Sequence, residues 1–256
     1  VAFDEAGNLF GGHAGGWWRY PFEGDGALVA TGLGDVHQVD WLEPGVLLVA
    51  VADADWLERL DTTTGGRIPV APGAYAVRRG PGGDVWTADG TALYRSTPGV
   101  WDRETLVDTL PDGDPKVVAF DREGTTAYLG TIRGTGVVYT LALDAEGAPV
   151  GEPAVFATGV GGGWHDALGV DACGNVYVAD AVETALYRLG PDGAVERVLD
   201  LAVEDHAHGL RWGSGVGGWR SDALYLAQPY GGDHVAEVVV GVPAADWRGG
   251  NYTVVP

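Results

Sequence analysis

The stretch "LGVDACGNVYVAD", residues 168–180, decides the fold. Alternating apolar residues flank the turn-forming run Asp171-Ala172-Cys173-Gly174, the pattern of two short antiparallel strands joined by a tight hairpin. "ALYRLG" (185–190) and "VERVLDLA" (195–202) follow with the same alternation, so one unit holds four strands. The unit recurs as "VAFDEAGNLFGG" (1–12) and "VVAFDREGTTAYLGT" (117–131). Looser copies are "VDWLEPGVLLVAVAD" (39–53), "VRRGPGGDVWTAD" (77–89) and "LRWGSGVGGWRSDALYLAQ" (210–228). Repeat starts fall at Val1, Val39, Val77, Val118, Leu168 and Leu210, spaced by 38, 38, 41, 50 and 42 residues. These are the periods of propeller blades. Asp4–Gly7, Asp121–Gly124 and Asp171–Gly174 share Asp-x-x-Gly, in which glycine supplies the positive φ of a tight turn. No long helical periodicity is present. The expected fold class is all-β: a six-bladed β-propeller with four antiparallel strands per blade, one domain over residues 1–256.

Composition narrows the partners. The chain carries 36 acidic against 15 basic residues, a formal net charge of -21. Such a surface repels phosphate backbones and anionic lipid, so nucleic acid is not an expected partner. No run of about 18 apolar residues occurs, so no membrane insertion is expected either. Cys173 is the only cysteine, which rules out an intrachain disulfide. A sequence without methionine that opens in mid-pattern suggests a processed N-terminus, and a secreted or periplasmic location is expected.

In a propeller blade the inner strand starts at one rim of the channel and the second strand returns to that rim. Two positions per blade therefore surround the mouth. The first ring, two residues ahead of each repeat start, reads His37, Tyr75, Lys116, Asp166 and His208. The second, at the end of each second strand, reads His13, Asp53, Asp89, Thr131, Asp180 and Gln228. Imidazole suits zinc and other transition metals, whereas carboxylate suits calcium. His13, His37, Asp166 and His208 are accordingly the candidate ligands of a divalent metal ion, with zinc or another transition metal favoured and calcium as the alternative. Asp53, Asp89 or Asp180 would serve as general base, and Lys116 would stabilise developing negative charge. Tyr75, Thr131, Trp164 and Gln228 are the expected substrate contacts. His165 and His206, adjacent to ring residues, are expected in supporting or loop roles, and His234 in a structural or exposed one.

The repeat at 168–180, with Ala-Leu-Tyr-Arg-Leu at 185–189, resembles the gluconolactonase and regucalcin family of six-bladed propellers and is similar to NHL-type repeats. That resemblance covers all six repeats and is specific for fold more than for activity. It implies a calcium or similar ion at the mouth, held by a glutamate ahead of blade one and by asparagine or aspartate at first-ring positions. Asp166 matches; His37 and His208 stand where asparagine is usual. The arrangement also resembles the six-bladed peptide-amidating lyases, whose zinc is held by histidines ahead of alternate blades, but the middle position here is Lys116.

Three functional readings follow. One is a metal-dependent hydrolase of lactonase or esterase type acting on a small molecule at the channel mouth, the ion polarising a carbonyl and activating water. Another is a non-catalytic propeller that binds a metal, ligand or protein partner. The third is a zinc-dependent lyase. Other motifs carry little. Gly213–Gly218 fits G-x-G-x-x-G but joins two strands and opens no helix, and Asn251-Tyr252-Thr253 is a short glycosylation-type pattern.

Overall fold

The computed structural model describes residues 1–13, 15–51, 55–201, 207–228 and 234–245. Asp53, His206, the tripeptide 251–253 and the side chains of His13 and His234 lie outside the described residues. The architecture is all-β, in six antiparallel sheets that follow one another along the chain. Blade one runs from inner strand Ala2–Phe3 to outer strand Ala27–Thr31, and blade two from Val36–Glu43 to Arg67–Pro72. Blade three spans Ala76–Arg79 to Arg103–Val107, and blade four Asp114–Phe120 to Pro149–Ala157. Blade five spans His165–Val170 to Val195–Asp200. Blade six shows three described strands, Gly209–Trp212, Ala223–Gln228 and His234–Val239. Every expected repeat start falls within, or in blade one next to, an inner strand. Strand order in each blade is sequential, so blade one is made of its own four strands.

The Asp-x-x-Gly turns form for the expected reason. Asp171 Oδ1 accepts the N–H groups of Cys173 and Asn175 at 2.8 and 2.9 Å, and Gly174 takes φ +83°. Asp4 and Asp121 make the equivalent bonds to Asn8 and Thr125. The side-chain oxygen satisfies amide donors that the hairpin leaves over.

Apolar residues of each sheet face those of the next, so the core is divided among the seams between blades. The seam that closes the ring, between blades six and one, is aromatic. Phe3 packs edge-on against Trp219 and Tyr225 at centroid distances of 5.1 and 5.4 Å, and Trp219 meets Phe22 at 5.1 Å.

One irregularity recurs where it matters for the mouth. In blade two Val36 pairs with Val51 and Gln38 with Ala50, leaving His37 as an extra residue. Blade four leaves Lys116 extra between Pro115 and Val117, and blade five leaves Asp166 extra between His165 and Ala167. In blades three and six the N–H groups of Tyr75 and His208 bond to Ala88 and Ala227, which are already opposite Ala76 and Gly209. All five first-ring residues therefore stand at a β-bulge-like doubling, a device that re-aims a side chain without breaking the sheet.

Candidate active site at the channel mouth

The bulges bring first-ring residues from five blades together. Lys116, its side chain only 2% exposed, makes a direct ion pair with Asp166 Oδ1, whose side chain is 1% exposed. The same oxygen accepts the indole N–H of Trp164 at 3.0 Å. His208 Nε2 lies 3.3 Å from Asp166 Oδ2. The His208 ring meets that of His37 at a centroid distance of 5.2 Å, and His37 meets Tyr75 at 4.9 Å. The rings of Trp164 and Tyr75 flank the ammonium, with Lys116 Nζ 5.0 and 5.8 Å from their centroids. Aromatic faces favour a cation there.

Electrostatics follow from burial. Desolvation lowers the Lys116 ammonium from its ordinary value, and the Asp166 carboxylate opposes that shift. Desolvation also lowers His37, with Asp35 opposing and Lys116 adding to the fall, so His37 is neutral at pH 7. His37 Nε2 is turned to Asp35 Oδ2 at 3.2 Å.

Second-ring residues have other tasks. Asp180 accepts three backbone N–H groups, from Gly162, Trp164 and Glu183, and so pins the loop that presents Trp164. Burial pushes the Asp89 carboxyl up, but bonds from Thr91, Ala92 and Arg103 outweigh it and hold the group below its ordinary value. Both carboxylates serve as turn and strand anchors in this geometry. Thr131 is fully buried, with its hydroxyl on the Val137 carbonyl, so it offers nothing to a substrate in this geometry. Its N–H donates to His165 Nδ1 at 3.0 Å, while His165 Nε2 donates to Val160 O at 2.9 Å. His165 is thus a fully buried tie between blades four and five.

Gln228, Gln38, His37, His208, Asp35 and Tyr20 border a cavity of about 610 Å3 between blades one, two and six, with apolar groups such as Trp17, Leu33 and Trp219 in the rest of its wall. That is a volume suited to a small organic molecule.

The repeat pattern had not marked the residues that cross the channel. Gln38 of blade two donates to the Asp166 carbonyl of blade five at 3.2 Å. Arg78 of blade three bonds the carbonyls of Val118 and Leu168 in blades four and five. Arg211 of blade six reaches Val39 O at 2.6 Å and lies 3.3 Å from Asp40 of blade two. Strict alternation turns Gln38 away from the mouth if His37 faces it. The bulge cancels one alternation, so neighbours point the same way.

Solved structures place this geometry among known propellers. The regucalcin of Agrobacterium tumefaciens, a calcium-binding protein, superposes with a TM-score of 0.62 at 21% identity, covering 89% of this chain and 83% of that one. A luciferin-regenerating enzyme gives 0.74 at 14% identity, covering 95% and 91%. A gluconolactonase of Xanthomonas campestris gives 0.66 at 16%, covering 90% and 78%. Its fold is that of the gluconolactonase and regucalcin propellers. No protein-family model matches the sequence, and no curated protein matches it.

A divalent ion at this mouth would need Asp166. Among the described residues no group of three or more His, Cys, Asp or Glu side chains is disposed to hold a metal. The donors explain why: Asp166 Oδ1 is taken by Lys116 and Trp164, and His37 faces Asp35. A divalent ion about 4 Å from the ammonium would be repelled by roughly 8 kcal/mol at an effective dielectric of ~20. Among the described residues the donors do not fit the metal that the family resemblance implied.

Proposed function

We propose that this propeller is a hydrolase of lactonase or esterase type, acting on a small carbonyl substrate at the channel mouth. The observation that carries the reading is the His208–Asp166–Lys116 cluster, in which Lys116 and Asp166 are almost fully buried and His208 borders a cavity of small-molecule size. The fold shared with a gluconolactonase supports the reaction class.

His208, oriented by Asp166, takes a proton from water as the water oxygen attacks the carbonyl carbon. The carbonyl π electrons move to oxygen, and the fixed positive charge of Lys116 favours that oxyanion in a poorly hydrated setting. Collapse of the tetrahedral intermediate breaks the acyl C–O bond, and the proton held by His208 passes to the departing alkoxide. Tyr75, His37 and Trp164 form the walls against which the substrate is positioned.

The test is turnover of a panel of γ- and δ-lactones and aryl esters by the wild-type protein and His208→Gln. Turnover in the wild type, with kcat lowered by about 100-fold or more in the variant, is the expected result. Equal turnover in both proteins, or none in the wild type, overturns the assignment.

A further inference from the structure

We propose that the Lys116 ammonium is this site's own cation, occupying on Asp166 the position a divalent ion would need, so that the channel mouth works without a bound metal. The inference stands apart from the hydrolytic reading, because metal binding alone decides it.

Four observations converge. Lys116 stands at the extra residue of a β-bulge, so its side chain is aimed at the mouth by local backbone geometry. Its ammonium meets Asp166 Oδ1 directly, with both side chains almost fully buried. A buried ammonium is stable only when paired and hydrogen-bonded, and this one has a carboxylate partner. Around it stand the rings of Trp164 and Tyr75, which stabilise a compact monovalent cation by their faces but are not the hard oxygen or imidazole ligands a divalent ion takes. Finally, Asp166 is held from three directions, by Lys116, by the Trp164 indole and by Gln38 on its own backbone carbonyl, so it is fixed around the lysine.

Chemically, a lysine differs from an ion in two ways. It delivers a single charge that chelators cannot remove, and it offers no open coordination position for water. The positive field at the mouth is therefore built into the chain, and proton transfer from water falls to an imidazole.

The experiment is calorimetric titration of chelator-treated protein with Ca2+, Zn2+ and Mn2+ in turn, on wild type, Lys116→Asn, Asp166→Asn and the double variant Lys116→Asn/Asp166→Asn, with near-ultraviolet circular dichroism to report folding. Wild type is expected to bind none of the three ions at this site. Lys116→Asn, which replaces the ammonium with a neutral oxygen donor, is expected to bind at least one ion about 100-fold tighter or more than wild type, and the double variant to lose that gain. One equivalent of metal bound by wild type and lost in Asp166→Asn overturns the proposal. So does a folded Lys116→Asn protein that gains no affinity. If Lys116→Asn does not fold, the wild-type and Asp166→Asn titrations decide the matter alone.

Discussion

His165 accepts a backbone N–H at one ring nitrogen and donates from the other, a pairing that only neutral imidazole makes. Desolvation lowers its pKa below the ordinary 6.5, against the opposing pull of the Val160 carbonyl, Asp180 and Asp166, and with the Lys116 charge adding to the fall. The sign follows: the unfolded chain takes up a proton as pH drops below about 6.5, and the folded chain does not, so stability is lost on that side. His165→Asn should cost about 1–3 kcal/mol at about pH 7.5 through the lost tie, and should flatten the fall in stability between about pH 7.5 and about pH 5.5. Urea unfolding at the two pH values checks it; an unchanged slope counts against a neutral, buried imidazole. Sequence reading assigned His165 a supporting role and Lys116 charge stabilisation, but signalled neither the His165 tie between blades nor the Lys116–Asp166 ion pair. Repeat register placed Lys116 and Asp166 each at a rim, but their contact joins residues 50 positions apart in adjacent blades. No local periodicity encodes that pairing.

At the scale of strands and turns, the repeat was legible because alternation and Asp-x-x-Gly are local signals, and the inner strands fell where those signals put them. The bulges were not legible. An extra residue carries no composition of its own, being histidine, lysine or aspartate here, yet it resets which side chains face the channel; hence Gln38, Arg78 and Arg211 went unmarked. The turns give a graded test. Gly174 has φ +83°, and an added Cβ would meet nothing closer than 3.7 Å, whereas Gly7 has φ +78° and its Cβ would lie 2.7 Å from the Val216 carbonyl oxygen of blade six. Gly174→Ala should therefore cost only the left-handed strain, about 1–2 kcal/mol. Gly7→Ala adds a backbone clash at the closing seam and should cost about 2–4 kcal/mol. Denaturant midpoints at unchanged m-value measure both, and equal costs would mean that the seam yields freely.

Across the whole molecule, a formal charge of -21 spread over six blades acts as self-repulsion in the folded state. Raising salt from about 10 mM to about 500 mM shortens the Debye length from roughly 30 Å to below 10 Å and should raise the melting temperature. A melting temperature that falls with salt would show that local ion pairs outweigh the net charge. The same field predicts no measurable binding to duplex DNA or to phosphatidylserine vesicles at moderate salt, by anisotropy and sedimentation respectively; tight, salt-sensitive binding would reveal a local basic patch. Six blades around an axis suggest a pipe held only at its seams, but Gln38 ties blade two to blade five, Arg78 ties blade three to blades four and five, and Arg211 ties blade six to blade two. The ring is braced like a spoked wheel and not only seam by seam. Loosening one blade therefore strains blades that do not border it, and damage at one seam is felt across the ring.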